Sequence, residues 1–278
     1  MSEHPKNHGT YFVPGLYRGL RVLEILAEAE HPMTVSEIGR EMDLSRSSVF
    51  RLVYTLRHMG FVEDADGGHS VTLGPRVLNL GFSYLAGQSL IQIARPVLEE
   101  LTETTGISSH LAILESKEVL FLDCVQSRLG YLSNVNVGHR FPAYASPLGW
   151  HLLSDRTEDE IAAMFERTPM RPFTDLTPTD TDALIQAVGA ARARRAVVSH
   201  GIAEAGGRSV SAPVRNAEGR VVAAIDISGP KSVFREEAFD TLYVPAVQKA
   251  GAQLSIRLGL PAQQAGAPQT GAAEDTPL

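Results

Sequence analysis

Residues 44–60 read Leu44-Ser45-Arg46-Ser47-Ser48-Val49-Phe50-Arg51-Leu52-Val53-Tyr54-Thr55-Leu56-Arg57-His58-Met59-Gly60, and the fold turns on how this stretch is read. Val49, Leu52, Val53 and Leu56 fall at i, i+3, i+4 and i+7, the spacing of a single helix face. Ser45 supplies an N-cap and Gly60 a stop, so the spacing predicts a helix running to about Met59. Its opposite side then shows Arg46, Ser47, Phe50, Arg51, Tyr54, Arg57 and His58. The stretch carries three arginines and no carboxylate.

Working outward towards the N-terminus, Leu16, Leu20, Leu23 and Ala27, flanked by Val22 and Leu26, repeat at helical spacing and predict a helix over Leu16–Ala29. His31-Pro32 ends it, because a residue before proline avoids the helical region. Thr34-Val35-Ser36-Glu37 fits a capping box and opens a short second helix to about Met42, with Val35, Ile38 and Met42 inward. Asp43-Leu44 then makes a tight turn. Gly39 in this second helix costs up to about 1 kcal/mol relative to alanine; a close helix–helix approach is a reason to keep it.

Downstream, Phe61–Glu63 and Ser70–Leu73 are short extended pieces around Asp64-Ala65-Asp66-Gly67-Gly68, which reads as a hairpin tip. Gly74-Pro75 closes the unit. Three helices followed by such a hairpin form a winged helix-turn-helix. Arginine and serine at the start of the third helix suit phosphate contacts, with the backbone amides and helix dipole adding to the guanidinium charge. Arginine also pairs bidentately with guanine in the major groove. The alternative is a three-helix bundle with a solvated arginine face; the hairpin favours the winged reading.

The 278 residues exceed what one core usually organises, so two domains are expected. The net charge of −7 argues against nucleic-acid binding by bulk attraction. Residues 1–73 hold seven basic and ten acidic side chains. The acid-free stretch around the third helix outweighs that balance, because a small domain docks through one basic face. The polar start, the lack of an apolar run near the ~18 residues of a membrane helix and the single cysteine, Cys124, together predict a cytoplasmic protein that makes no use of membranes.

The remaining expectations are coarser. Residues 1–14 are expected to be a disordered arm, 15–74 the winged domain and 75–90 a linker helix. An α+β domain is expected over 91–258 and a disordered tail over 259–278. Within the α+β domain, Ile91–Thr105 is expected to be helical, Ser109–Leu114 and Val119–Val125 to be strands, and Tyr131–Val137 a third strand. Ser146–Ser154 and Asp180–Arg195 are further helix candidates. Ser209–Arg215 and Arg220–Ile227 read as a hairpin. Phe239–Leu258 reads as the final helix, with Pro245 either kinking it or marking its true start.

Enzyme signatures are weak. Ser228-Gly229-Pro230-Lys231 matches Ser-x-x-Lys without its companion motifs. Gly207-Arg208-Ser209-Val210-Ser211 lacks the last glycine of a nucleophile elbow. His110, His139, His151, His200 and Cys124 are too scattered for a local metal signature. Cys124 reads as a small core residue rather than a sensor thiol. Arg140 either rims a pocket or packs a turn. No catalytic residue, metal or cofactor is expected. Two other readings stay open: a hydrolase on the C-terminal domain with the N-terminal unit used for assembly, and a protein-interaction module.

The chain resembles the IclR family of bacterial transcriptional regulators over about residues 15–258. The likeness rests on Leu16–Leu23, Thr34–Ile38, Leu44–Leu52, Val71-Thr72-Leu73-Gly74-Pro75 and Ala94-Arg95-Pro96-Val97-Leu98. It rests most specifically on Ser211-Ala212-Pro213-Val214-Arg215 with Gly219–Ile225 and Ser228-Gly229-Pro230. The resemblance implies a winged helix on a GAF-like α+β effector-binding domain, in homodimers or dimers of dimers. The implied partners are a double-stranded DNA operator and a small metabolite of the organic or aromatic acid class. The expected DNA contacts are Arg18, Ser45, Arg46, Ser47, Ser48, Arg51 and Tyr54. The expected effector contacts are Pro147, Leu148, Ser199, Ser209, Asp226 and Ser228. The chain departs from the family pattern where Trp150 replaces a lysine and where Asp226 stands at a position commonly serine. Asp226 either faces the pocket, where it repels a carboxylate unless protonated or bridged, or faces away and pairs with an arginine. In the first case the ligand carries a hydroxyl or amine donor.

Overall fold

A computed structural model describes residues 11–87, 89–128 and 135–266. The described residues fall into two compact units, one up to Gly87 and the other from Ser89 onward.

The first unit contains helices α1 (Pro14–Glu28), α2 (Val35–Met42) and α3 (Arg46–His58), the hairpin β1 (Val62–Ala65) and β2 (Ser70–Leu73), and helix α4 (Arg76–Ala86). Helix α1 starts earlier than the sequence suggests, because Pro14 lies in its first turn, where a missing N–H costs nothing. The expected arm over 1–14 is thus cut short by a helix start; residues 1–10 lie outside the described residues. The apolar spacing that marks α1 does not coincide with its buried face. Leu16 and Leu20 are 64% and 53% exposed, while Val22, Ile25 and Leu26 are buried. Only the C-terminal half of α1 meets the core formed by Met33, Ile38, Val49, Val53, Leu56, Val62 and Val71.

The capping box is present: Glu37 N–H donates to the Thr34 hydroxyl, and the Glu37 carboxylate accepts from Thr34 N–H at 2.7 Å. The Thr34 N–H bond, with a second from the Thr34 hydroxyl, holds the Glu37 carboxyl below its ordinary range. Asp43 makes the turn with φ of 51°. Gly39 lets the turn pack closely, since a Cβ there would stand 3.0 Å from the Leu44 carbonyl oxygen, a tight contact. Strand β1 runs two residues further than expected, so the tip is only Asp66-Gly67-Gly68. Met33 and Val71 exchange backbone bonds of 3.0 and 2.8 Å, which ties the wing to the start of α2.

The second unit is an antiparallel sheet of order β5-β4-β3-β8-β7-β6. Its strands are β3 (Ser109–Glu115), β4 (Glu118–Val125), β5 (Arg140–Pro142), β6 (Val197–His200), β7 (Gly207–Arg215) and β8 (Val221–Pro230). Helices α5 (Ser89–Thr105) and α9 (Val244–Arg257) cover one face, burying Leu98, Leu101, Ile225, Ile227, Val247 and Leu254. Helices α6 (Pro147–Leu153), α7 (Glu158–Phe165) and α8 (Thr181–Ala193) pack on the other, with Ala112, Phe121, Leu153, Phe165, Leu184 and Ala224.

Several expectations shift. Residues 131–134 of the proposed third strand lie outside the described residues, and Val135–Val137 is not a strand. The chain instead turns at Gly138 (φ 86°) and pairs with β4 through Arg140–Pro142. Helix α7 and strand β6 were not anticipated. Pro245 falls in the first turn of α9, and Phe239–Tyr243 before it forms a π-helical turn, so the proline marks the true start of the α-helix. The expected tail from 259 contains helix α10 (Ala262–Gly266); residues 267–278 lie outside the described residues. The expected linker over 75–90 resolves into α4 in the first unit and the start of α5, at Ser89, in the second.

Candidate functional site

Helix α3 presents the first candidate surface. Ser45 accepts from Ser48 N–H at 3.3 Å, and its hydroxyl lies 2.9 Å from that of Ser48. The cap fixes the helix start and sets Arg46 and Ser47 on its first turn. Val49, Val53 and Leu56 are buried, Leu52 is half-buried, and Arg46, Ser47, Phe50, Arg51 and Tyr54 are exposed. Phe50 and Tyr54 are 54% and 57% exposed, with ring centroids 6.4 Å apart. The arginines divide by partner. Arg57 donates to Asp64 of β1 at 2.6 Å and sits 5.9 Å from the centre of the Tyr54 ring, so it links α3 to the wing. Arg46 and Arg51, and Arg18 on α1, have no carboxylate partner among the described residues. Two of these cations, Arg46 and Arg51, are therefore on the exposed side of α3, available to an anion outside the chain.

The second candidate is a cavity of about 220 Å³ in the sheet unit. It is small against the ~300–1,000 Å³ of sites for drug-sized ligands, so it suits a molecule of about one ring. Pro147 and Leu148 at the start of α6, Ser199 of β6, Ser209 of β7, and Asp226 and Ser228 of β8 all line it. Six residues expected to act together are thus brought to one place by four elements. Phe121, His139, Phe141, Ile202, Glu204 and Arg208 complete most of the wall and were missed. Phe121 falls in the apolar strand read at Val119–Val125, a run that by itself marks no cavity wall. The start of α6 is pressed against the preceding turn, and a Cβ at Gly149 would overlap the Ala143 backbone.

Asp226 faces the cavity and has a histidine, not an arginine, as partner. His110 Nδ1 is 2.8 Å from Asp226 Oδ1, and both side chains are buried. Ser228 Oγ is 3.3 Å from the same nitrogen. Strand register explains the pairing, since His110 is the cross-strand neighbour of Asp226. His110 was the residue that the sequence could not connect to the site. The Phe121 ring meets His110 edge-on at 5.8 Å and stacks on His139 at 6.0 Å, giving the cavity an aromatic wall.

The charged rim is largely spoken for. Arg208 donates to Glu236 at 2.6 Å and lies 5.4 Å from the Phe239 ring centre. That bond holds the Glu236 carboxyl low. Burial, and then the Arg208 charge, lower the pKa of His200. Arg140 is not a lining residue; it binds Glu115 and Glu118 across β3–β5, which is the packing alternative. Burial, reinforced by Asp123, pushes the Cys124 thiol up to about 12, so it is an inert thiol at neutral pH. Trp150 is buried, with its indole N–H donated to the Tyr144 carbonyl at 2.9 Å. Among the described residues no cluster of His, Cys, Asp and Glu is placed to hold a metal ion, and no helix is long and apolar enough to cross a membrane.

A helix-turn-helix with unpaired arginines on its outer face, followed in the chain by a sheet unit holding a ring-sized cavity, defines a DNA-binding transcriptional regulator with an effector-binding C-terminal domain. The chain belongs to the IclR family: residues 15–66 match the IclR helix-turn-helix domain, and residues 82–256 match the bacterial transcriptional regulator IclR C-terminal domain. It is 28% identical over 250 residues to the HTH-type transcriptional regulator XynR of Escherichia coli K12, covering 90% of this chain and 99% of XynR. A solved chain from Rhodococcus sp. RHA1 is 33% identical, with a TM-score of 0.77 over 89% of this chain and 98% of that one. An IclR homologue of Microbacterium hydrocarbonoxydans, solved with 4-hydroxybenzoate, is 28% identical, with a TM-score of 0.73 over 88% and 98% of the two chains.

Proposed function

We propose that this regulator inserts α3 into the major groove of its operator and senses a one-ring hydroxylated or amino-bearing acid in the sheet cavity. The DNA contacts assigned are Arg18, Ser45, Arg46, Ser47, Ser48, Arg51 and Tyr54. The unpaired guanidinium groups of Arg46 and Arg51 support that assignment. Phe50 joins the set because it stands exposed between them. Two copies place their α3 helices in successive major grooves, roughly 34 Å apart, in a homodimer or a dimer of dimers in the cytoplasm.

One observation carries the ligand class: the cavity pairs an aromatic wall with the His110–Asp226 hydrogen bond. A carboxylate in the cavity wall disfavours an anionic ligand group beside it and accepts strongly from a hydroxyl or amine. The ligand therefore lies with its donor on Asp226 and its own acid group elsewhere. A relative solved with 4-hydroxybenzoate, which has this chemistry, supports the class.

The same geometry supports a sensor over a hydrolase. Asp226 and Ser228 both address Nδ1 of His110, whereas a serine–histidine–aspartate relay uses the two ring nitrogens separately. Thermal melting against a panel of aromatic and hydroxy acids tests the reading, since a ligand that binds only the folded form raises Tm by mass action. A panel that leaves Tm unchanged, or a chain that turns 4-hydroxybenzoate over without DNA, refutes it.

A further inference from the structure

On the α9 side of the sheet, a second concavity of about 430 Å³ shares no lining residue with the effector cavity. The end of α8 with the residues after it, β7, α9, Leu260 and α10 enclose it. Five of its lining side chains are cationic, Arg192, Arg194, Arg195, Arg215 and Lys249, and none is a carboxylate. Sequence alone reads Arg192, Arg194 and Arg195 as a solvated helix end, but two of the three are fixed. Arg192 donates from Nε to the Ser154 carbonyl at 2.6 Å and from a terminal nitrogen to that of Arg156 at 2.7 Å. Arg195 donates to the Ala265 carbonyl at 3.2 Å.

Carbonyl partners orient a guanidinium without neutralising it. Arg215 and Lys249 are offset by Asp155 and Glu100, neither of which lines the concavity. Arg192, Arg194 and Arg195 have no carboxylate partner among the described residues. Three uncompensated positive charges in a concave surface focus a positive potential. Arginine forks match the oxygens of carboxylates and phosphates.

We propose that this groove is a second ligand site, for a small multivalent oxyanion: a phosphate ester or a di- or tricarboxylate. It is independent of the effector cavity, so the regulator reads two chemically distinct signals. Arg192 and Arg195 form its pre-oriented floor, and Arg194, which caps α8 through its backbone only, closes on the bound anion.

Calorimetric titration of the full chain with inorganic phosphate and with citrate, each against sodium chloride of equal ionic strength, tests the site. Saturable binding of either anion, weakened at least about tenfold in Arg194→Gln, is the expected result, and the stronger of the two identifies the source. Arg194→Gln removes no side-chain hydrogen bond or ion pair among the described residues, and Lys249→Gln gives a second, smaller loss should that variant be poorly behaved. Binding indistinguishable from chloride, or binding undiminished in both variants, overturns the proposal. So does a loss confined to non-specific DNA affinity, which makes the groove part of a nucleic-acid surface. None of these outcomes bears on whether 4-hydroxybenzoate binds the effector cavity, so the two readings fail separately.

Discussion

The imidazole of His110 and the carboxylate of Asp226 lie 2.8 Å apart across adjacent strands, both buried, and Asp226 lines a ring-sized cavity. A buried carboxylate is costly unless it is paired and hydrogen-bonded. His110 supplies that partner and leaves the outer carboxylate oxygen for a ligand donor. We expect wild-type protein to bind 4-hydroxybenzoate more tightly than benzoate by roughly ten- to hundredfold, the range for a hydrogen bond to a charged group. Asp226→Ser, and the closer isostere Asp226→Asn, should lose most of that preference in calorimetry. An identical ranking of acids in all three proteins removes Asp226 from ligand recognition.

Arg51 has no carboxylate partner among the described residues, whereas Arg57 is held by Asp64. Arg51→Ala is therefore expected to weaken operator binding at least about tenfold without changing the thermal melt. Arg57→Ala breaks an exposed pair worth under about 1 kcal/mol and should weaken DNA binding less. A gel shift giving Arg51→Ala the wild-type affinity would falsify the recognition-helix assignment.

Phe50 presents an apolar ring beside Arg46 and Arg51. The thymine 5-methyl is the apolar group that the major groove offers. A duplex selected by the protein from a random pool should bind less well when its thymines are replaced by uracil, by about fourfold per contacted methyl. Phe50→Ala should bind both duplexes alike. Equal binding of the two duplexes by wild-type protein would show that the ring does not read thymine.

His151 lies buried in α6, with Nε2 3.2 Å from the Ser211 carbonyl oxygen. Burial, opposed by that bond, takes its pKa down to about 4 from an ordinary value of 6.5. Between these values the unfolded chain binds the extra proton and the folded chain does not, so stability is full above pH 6.5 and falls as the pH drops towards 4. The loss attributable to this group is of order 3 kcal/mol. Urea denaturation at pH 7 and pH 5 should show the fall, and His151→Leu should flatten the slope whatever its absolute stability. A slope unchanged by the substitution assigns the acid sensitivity to other groups.

The local elements were legible because their causes are local. The capping box of Thr34 and Glu37, the turn at Asp43, the Ser45 cap and the spacing of Val49, Val53 and Leu56 each lie within about two helical turns of sequence. They define a helix-turn-helix before any tertiary contact is considered, and the hairpin about Gly67-Gly68 adds the wing. Where a neighbour decided the outcome, the sequence misled. The helical spacing of α1 includes Leu16 and Leu20, yet the residues it buries are Val22, Ile25 and Leu26.

The sheet cavity divides in the same way. Likeness to a family pointed to six residues that the fold brings to its lining, because such a comparison carries positions along the chain. It could not show that His110 meets Asp226, 116 residues later, or that Phe121 and His139 stack into a wall. Nor could it show that Arg192 and Arg195, read as a wet helix end, are bonded to backbone carbonyls over a concave surface. Periodicity and capping are properties of a chain segment and can be read from it. Which side chain completes a buried hydrogen bond, and which charge is left without a counter-charge, depends on strand register and helix packing, and these exist only once distant segments have come together.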